Sequence, residues 1–298
     1  MTLKINPRAY LDSPVSRIFA RVAEQVDHIQ GLRRQMLEDG FGDHVSDYDT
    51  QIDDMSKKLG AVDYSSDFYD FVMMITEEVI DMLTVDNDFR EAYQNFSWND
   101  PATTRAIVHR AQNVMEKYFE TSPRFKRNVF LRFDEQDIME RGANLGSHSL
   151  RASTCVFDDD GEERIFTSHV ISINIHESVI KSNFGPNGIL STLIHENFHA
   201  LEDMFRCYAE NMYFVGGVID EKTHDCLLGS QIFYPDQETR SYAHSLYWEH
   251  VSERFCRTMQ VFFETCFEKE FGDEHRHTHP DVLKTIEKIM GKTIHHPS

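Results

Sequence analysis

The sequence predicts an α+β protein that is mostly helical, and three observations support this fold class. Apolar residues recur with the 3.6-residue period of a helix throughout residues 1–122. The pattern then changes to the two-residue alternation of strands in three segments between residues 128 and 175. Helical periodicity returns from residue 187 onward. A chain of 298 residues with 40% hydrophobic residues can bury a sizeable core.

The first part of the chain contains four predicted helices. The first spans residues 13–38, between Asp12 or Ser13 as a cap and Gly40 just beyond its end. The others span residues 48–59, 66–83 and 101–120, the last of them opened by Asp100 and Pro101. We therefore predict a helical N-terminal part over 1–122, a core over 123–272, and a polar, histidine-rich tail with a short helix over 273–298.

Three strands are predicted to follow, over residues 128–133, 149–157 and 163–175. The composition of residues 158–161, DDDG, predicts a hairpin turn between the last two strands. In the third strand Ile171, Ile173 and Ile175 share one face. A small antiparallel or mixed sheet therefore precedes the next helix.

That helix is predicted over residues 187–204 and carries the motif HENFH at residues 195–199. Two histidines four residues apart project from the same face of a helix, so His195 and His199 can bind one metal ion. The apolar residues lie on the opposite arc, namely Leu190, Leu193, Ile194, Phe198, Leu201 and Met204. The face that carries the two histidines also carries Glu196, Glu202 and Asp203. The last two, which lie beyond the motif, are placed to orient metal ligands.

The order of a few strands and then a helix bearing HExxH resembles the zincin metallopeptidases. The resemblance implies a zincin-like core in which Zn²⁺ is held by His195, His199 and a third protein ligand. It also implies that Glu196 is the general base and that a zinc-bound water hydrolyses a peptide bond. The strand segment 169–176 would be an edge strand that pairs with extended substrate.

The third ligand is predicted to be a downstream glutamate, as in gluzincins. The metzincin form needs glycine and histidine three and six residues after His199, where this chain has Glu202 and Phe205. A helix predicted over residues 236–271 offers three glutamates. Its segment ETRSYAH, which begins at Glu238, resembles the third-ligand segment of bacterial and phage-associated proteins assigned as metallopeptidases. Glu238 is thus the predicted ligand, Glu253 is the alternative, and Glu249 also stays open.

The oxyanion of the reaction would be stabilised by Tyr242, His244 or His250, since gluzincins use a tyrosine or histidine from this region. Residues 220–235, which precede the glutamate helix, are predicted to form a loop. The sequence does not choose among the three candidates for the oxyanion.

Charge and composition limit the classes of partner and the cellular location that we expect for the protein. The formal net charge of −20 disfavours nucleic acid and favours solubility or a basic partner. The peptide or protein substrate that the zincin resemblance implies would then be of basic character. No window approaches 18 uninterrupted apolar residues, so no membrane span is expected. Five cysteines without a CxxC pair and a start without an apolar leader predict a cytoplasmic protein, with signal-independent secretion left open. The rival function is non-catalytic: a zincin scaffold or helical interaction protein, phage- or effector-like.

Overall fold

The computed structural model describes residues 14–120, 125–140, 144–157, 163–182, 185–211, 219–230 and 244–272. These residues are mostly helical and include a three-stranded mixed sheet, which confirms the α+β, mostly α class. The helices are α1 (Pro14–Glu38), α2 (Ser46–Gly60), α3 (Ser66–Val85), α4 (Asn87–Gln94), α5 (Pro101–Glu120), α6 (Glu177–Ser182), α7 (Pro186–Asn211), α8 (Glu221–Ser230), α9 (His244–Glu249) and α10 (Val251–Phe271). The strands are β1 (Phe125–Asp134), β2 (Gly146–Phe157) and β3 (Glu163–Asn174). None of the described helices combines the length and apolar character needed to cross a bilayer.

The chain divides into two compact units. Unit 1 comprises Met1–Val72 and Glu202–Thr258, and unit 2 comprises Met73–Leu201 and Met259–Ser298. Within these ranges the structure describes only the residues given above. Helix α7 contributes its residues up to Leu201 to unit 2 and the rest to unit 1. The predicted boundaries at residues 122 and 272 stay a prediction.

Unit 1 has a helical core around α1, which packs against α2 and α8. Phe19 and Val26 of α1 are buried, and a Cβ on Gly229 of α8 would lie only 2.8 Å from the Phe19 ring. That close approach requires a glycine. A second apolar cluster joins Tyr64 and Phe68 to Phe205 and Phe255, with neighbouring ring centroids 5.1–5.4 Å apart, and it fixes the later part of α7 and the start of α10 in this unit.

Unit 2 is built on the sheet, whose strand order is β1-β3-β2. Strand β1 pairs parallel to β3 from Phe125 opposite Ile165, and β2 pairs antiparallel to β3 from Gly146 opposite Ile173, with a bulge between Leu150 and Ala152. Helix α5 packs on β1. The alternation that predicted the strands thus follows from a sheet whose core face is buried.

The strand order overturns one expectation. Strand β3 contains most of the segment that the zincin resemblance assigned to a substrate-binding edge, but it lies in the centre, with β1 on one side and β2 on the other. Alternation identifies a strand and its faces but carries no information on which strands pair. An edge role therefore cannot belong to β3, whose backbone groups are engaged on both sides.

Two predicted element boundaries were also wrong. Residues 221–230, expected within a loop, form helix α8, which Asp220 begins by accepting a hydrogen bond from the Thr223 backbone N–H at 3.1 Å. The long helix predicted over 236–271 is interrupted at His250, between α9 and α10. There the His250 Nδ1 accepts from the Ser252 backbone N–H at 3.3 Å, so the side chain caps a new helix.

Candidate metal centre

Helix α7 carries the HExxH motif on the face that the sequence predicted. The residues of the apolar arc are all buried, from Leu193 at 0% exposure to Phe198 at 6%. His195 and His199 lie on the opposite face, and their Nε2 atoms are 3.2 Å apart. The four-residue spacing therefore brings two imidazole nitrogens together, as expected for residues one helical turn apart.

The orientation of His195 is set by Gln260 of α10. The Nδ1 of His195 lies 3.0 Å from the Gln260 Oε1, an atom that can only accept a hydrogen bond. Because Nδ1 then carries the proton, the neutral ring has its lone pair on Nε2, the atom that faces His199. The contact leaves His195 in the tautomer that a metal ligand needs.

Gln260 is held in turn by a hydrogen-bonded chain within unit 2. Its amide Nε2 donates to the Ser191 hydroxyl at 2.6 Å, and Ser191 donates to the carboxylate of Glu264. Since the amide N–H is used in this way, the Oε1 end of Gln260 must point at His195. Glu264 therefore acts on the histidine through two intervening side chains.

Glu196, the acid next to the first histidine, is 8% exposed and lies beside the start of β2. A Cβ added at Gly146 would be 3.0 Å from the Glu196 Oε1 and 2.7 Å from the Thr192 Cγ2. Only a glycine allows the strand to approach α7 so closely. The backbone at Gly146 thus bounds the space around the Glu196 carboxylate.

Asn197, in the middle of the motif, anchors α7 to α5 and β1. Its side-chain amide donates to the Gln112 Oε1 at 2.9 Å, and its Oδ1 accepts from the Arg127 guanidinium at 2.8 Å. Arg127 is fully buried, pairs with Glu116 at 3.0 Å and lies 3.8 Å from the centroid of the Phe119 ring. Burial lowers the pKa of Arg127, against the opposing effect of Glu116. The network locks the rotation of the helix that presents the histidines.

Histidine, glutamate, aspartate and cysteine side chains of the described chain form groups that could hold a metal ion, with ligand atoms within 4.8 Å of one another in each group. Members of these groups include His148, His169, His195, His199, Glu202, Asp203, Glu253 and Cys256. Both predicted histidine ligands are among them.

The three glutamates proposed as third ligand differ sharply. Glu238 lies outside the described residues. Glu253 lies in the first turn of α10, is 1% exposed, and belongs to the groups that could hold a metal. Glu249, at the end of α9, has a side chain that is 45% exposed and lies 4.0 Å from Arg254, and among the described residues it is not a member of those groups. A buried carboxylate needs a cation or several hydrogen bonds, so burial favours Glu253 over Glu249.

Glu202, expected to orient the ligands, is the centre of a buried network in unit 1. One carboxylate oxygen accepts from the Tyr64 hydroxyl at 2.5 Å, and the other accepts from the Ser252 hydroxyl at 2.5 Å and the Cys256 thiol at 3.4 Å. Burial, reinforced by the Glu202 charge, raises the pKa of Tyr64 well above its ordinary value, so the phenol stays a donor. Asp203, the other acid, pairs with Arg206.

Of the three residues considered for the oxyanion, only the His250 side chain is described. It is fully buried and its ring meets Phe19 edge to face, with centroids 5.9 Å apart. This contact, together with the capping hydrogen bond from the Ser252 backbone N–H, gives the His250 side chain a structural role. Tyr242 and the side chain of His244 lie outside the described residues.

Two histidines near the motif were missed by sequence analysis. His148 of β2 stacks on His199, with ring centroids 6.2 Å apart and planes at 16°, and its Nε2 lies 2.9 Å from the Nδ1 of His169 on β3. A signal was present, since His169 falls in the alternating row that contains Ile171 and Ile173 and therefore on the core face. The sequence carries no signal for the strand pairing that brings His148 beside His169.

In comparisons with known proteins, no family model, no curated protein and no solved structure matches this chain.

Proposed function

We propose that this protein is a zinc-dependent metallopeptidase with a zincin-like core of the gluzincin type. The observation that carries the proposal is the pair formed by His195 and His199, whose Nε2 atoms are 3.2 Å apart while Gln260 holds the Nδ1 of His195. The motif, the tautomer and the adjacent acid Glu196 together make up the chain's part of a hydrolytic metal centre.

The spacing of the two nitrogens fits zinc. Two nitrogen ligands at ~2.0–2.1 Å from a tetrahedral ion are separated by about 3.3 Å. The observed 3.2 Å lies close to that value, so zinc needs little rearrangement of the two side chains. Neutral imidazole is also a donor that zinc prefers.

The chemistry divides between the ion and the side chains. When bound, zinc would supply a Lewis acid that brings the pKa of water close to neutrality. Glu196 then takes the proton from the attacking water and passes it to the leaving amine, since it is the carboxylate next to the first ligand. Gln260 keeps His195 in its binding tautomer, and the close backbone at Gly146 keeps the Glu196 carboxylate from swinging toward β2.

The third ligand in this proposal is Glu238, as the segment resemblance implies, with Glu253 as the alternative. The burial of Glu253 supports the alternative, because a carboxylate at 1% exposure gains from a nearby cation. Substrates would be peptides or proteins of basic character, in keeping with the net charge of −20. The cytoplasmic location that the sequence predicts stays part of the proposal.

Zinc measurements on single variants test the ligand set. The full-length chain is used with the histidines of residues 273–298 changed to Asn, so that they cannot contribute weak binding. We expect His199→Gln to lose a zinc equivalent relative to this parent, and the exposed His109 on α5, changed to Gln, serves as the control that keeps it. A variant at Glu238 or at Glu253 should weaken zinc binding, and the one that does identifies the third ligand.

Activity separates the base from the ligands. Glu196→Gln should keep the zinc content of the parent while zinc-dependent cleavage of a mixed peptide library disappears, because the proton acceptor is removed without a ligand. Retention of the parent's full zinc content in His199→Gln would overturn the metal site. Zinc binding by the parent without any cleavage would favour a non-catalytic scaffold.

A further inference from the structure

A second pair of histidines lies on the core face of the sheet. In the antiparallel pairing of β2 with β3, His148 is opposite Ile171, and His169 is two residues from Ile171 on the same strand. Residues two apart in a strand share a face, so His148 and His169 are diagonal neighbours across the two strands. The bulge that begins after Leu150 follows directly, and it changes the register beyond this pair.

The surroundings make this an unusual place for imidazole. The row of β3 that contains His169 also contains Ile165, Thr167, Ile171 and Ile173, all at 3% exposure or less, and His169 itself is fully buried. Removing a polar ring from water costs about 1–3 kcal/mol unless its nitrogens gain partners. An apolar side chain would serve packing as well, so the two rings point to a function other than filling the core.

The geometry of the pair suits metal coordination. The Nε2 of His148 and the Nδ1 of His169 are 2.9 Å apart, close to the 3.2 Å of the motif pair and to the separation of about 3.3 Å expected for two nitrogens on a tetrahedral ion. One N–H shared between the rings satisfies this contact when no ion is bound. A divalent cation would take a lone pair from each ring, and the ring that had donated the shared N–H would then carry its proton on its other nitrogen.

The two pairs are distinct. His148 and His169 fall in a different group of possible ligands from His195 and His199, although the stacked rings of His148 and His199 link them. The rings of that stack are nearly parallel, at 16°, with centroids 6.2 Å apart. The second pair therefore lies next to the HExxH histidines but belongs to a separate group of possible ligands.

We propose that His148 and His169 bind a second divalent transition-metal ion, beside the ion held by the HExxH histidines. Water molecules would complete its coordination. The binding of zinc at this pair does not depend on the first site being catalytic. A negatively charged chain favours a second cation.

Zinc stoichiometry at equilibrium, measured over a range of free zinc concentrations, tests the proposal on the full-length chain with the tail histidines changed to Asn. The parent should bind two zinc ions. His148→Gln and His199→Gln should each bind one, and the double variant none. Far-UV circular dichroism and the melting temperature of the apo-protein check that each variant folds. His148, on the outer strand β2, is the residue chosen for substitution because His169 is fully buried.

Each other outcome is decisive. One zinc in the parent that survives His148→Gln and is lost in His199→Gln would overturn the second site and leave the proposed function standing. One zinc that is lost in His148→Gln and survives His199→Gln would support the second pair and overturn the HExxH site. A parent without zinc would overturn both, and an unchanged count of two in His148→Gln would place the extra ion elsewhere.

Discussion

Replacing Gly146 with alanine should lower both the stability of the fold and the proposed peptide hydrolysis, because the structure leaves no room for a Cβ there. The added atom would lie 2.7 Å from the Thr192 Cγ2, 3.0 Å from the Glu196 Oε1 and 3.1 Å from the Glu196 Cγ. Carbon atoms pack at about 3.5–4.0 Å, so Thr192 must move by about 0.8 Å or more. It cannot rotate freely, since its hydroxyl donates to the Gly188 carbonyl at 3.0 Å.

The expected magnitude follows from two opposing effects. Overpacking a closed site costs about 1–3 kcal/mol. Replacing glycine at a position without positive φ returns about 0.4–1 kcal/mol by restricting the unfolded chain. A net loss of about 1–2 kcal/mol would lower the melting temperature by about 2–8 °C. A shift of the Glu196 carboxylate by about 1 Å would also reduce kcat/KM by up to about 100-fold.

A double-mutant cycle isolates the clash. Thr192→Ser removes the methyl group at 2.7 Å and keeps the hydroxyl that bonds to Gly188. Combined with Gly146→Ala it should restore about 1 kcal/mol of stability relative to additivity. Gly31→Ala, in the middle of α1 with nothing within 4 Å of the new Cβ, is the matched control and should stabilise by about 0.5–1 kcal/mol. Additive effects of the two changes, or an alanine variant as stable as wild type, would refute the reasoning.

Two further variants test the supports of α7. Arg127→Met should destabilise the protein by about 3–5 kcal/mol in urea unfolding, because it leaves the Glu116 carboxylate and its neighbours without their buried cation. Adding Glu116→Gln to this variant should recover part of the lost stability. If it recovers none, the charge pair is not the cause of the loss. Gln260→Met should weaken zinc binding by about 10–100-fold, because the contact to His195 is lost. Gln260→Glu keeps a hydrogen-bond acceptor, so its zinc affinity should be closer to that of the wild type. Equal zinc affinities for the two variants would contradict the role assigned to Gln260.

The local pattern of the chain determined most of the helices. The segments predicted over 13–38, 66–83 and 101–120 agree with α1, α3 and α5 to within two residues, since caps and a 3.6-residue period act over neighbouring residues. Gly40, with φ of +81°, ends α1 as a C-terminal glycine should. The same periodicity placed His195 and His199 on the polar face of α7, which the buried opposite arc bears out.

The tertiary structure alone decided what depends on residues far apart in the chain. Alternation identified β3 as a strand, but its central place follows from pairing with both β1 and β2. The break at His250 depends on a single side chain that caps α10, and the difference between buried Glu253 and exposed Glu249 depends on that break. The pair His148 and His169 has the same origin: each is an ordinary strand residue by sequence, and only the strand register places their nitrogens 2.9 Å apart. Periodicity is a property of neighbours, whereas register is decided by which faces the whole chain can bury.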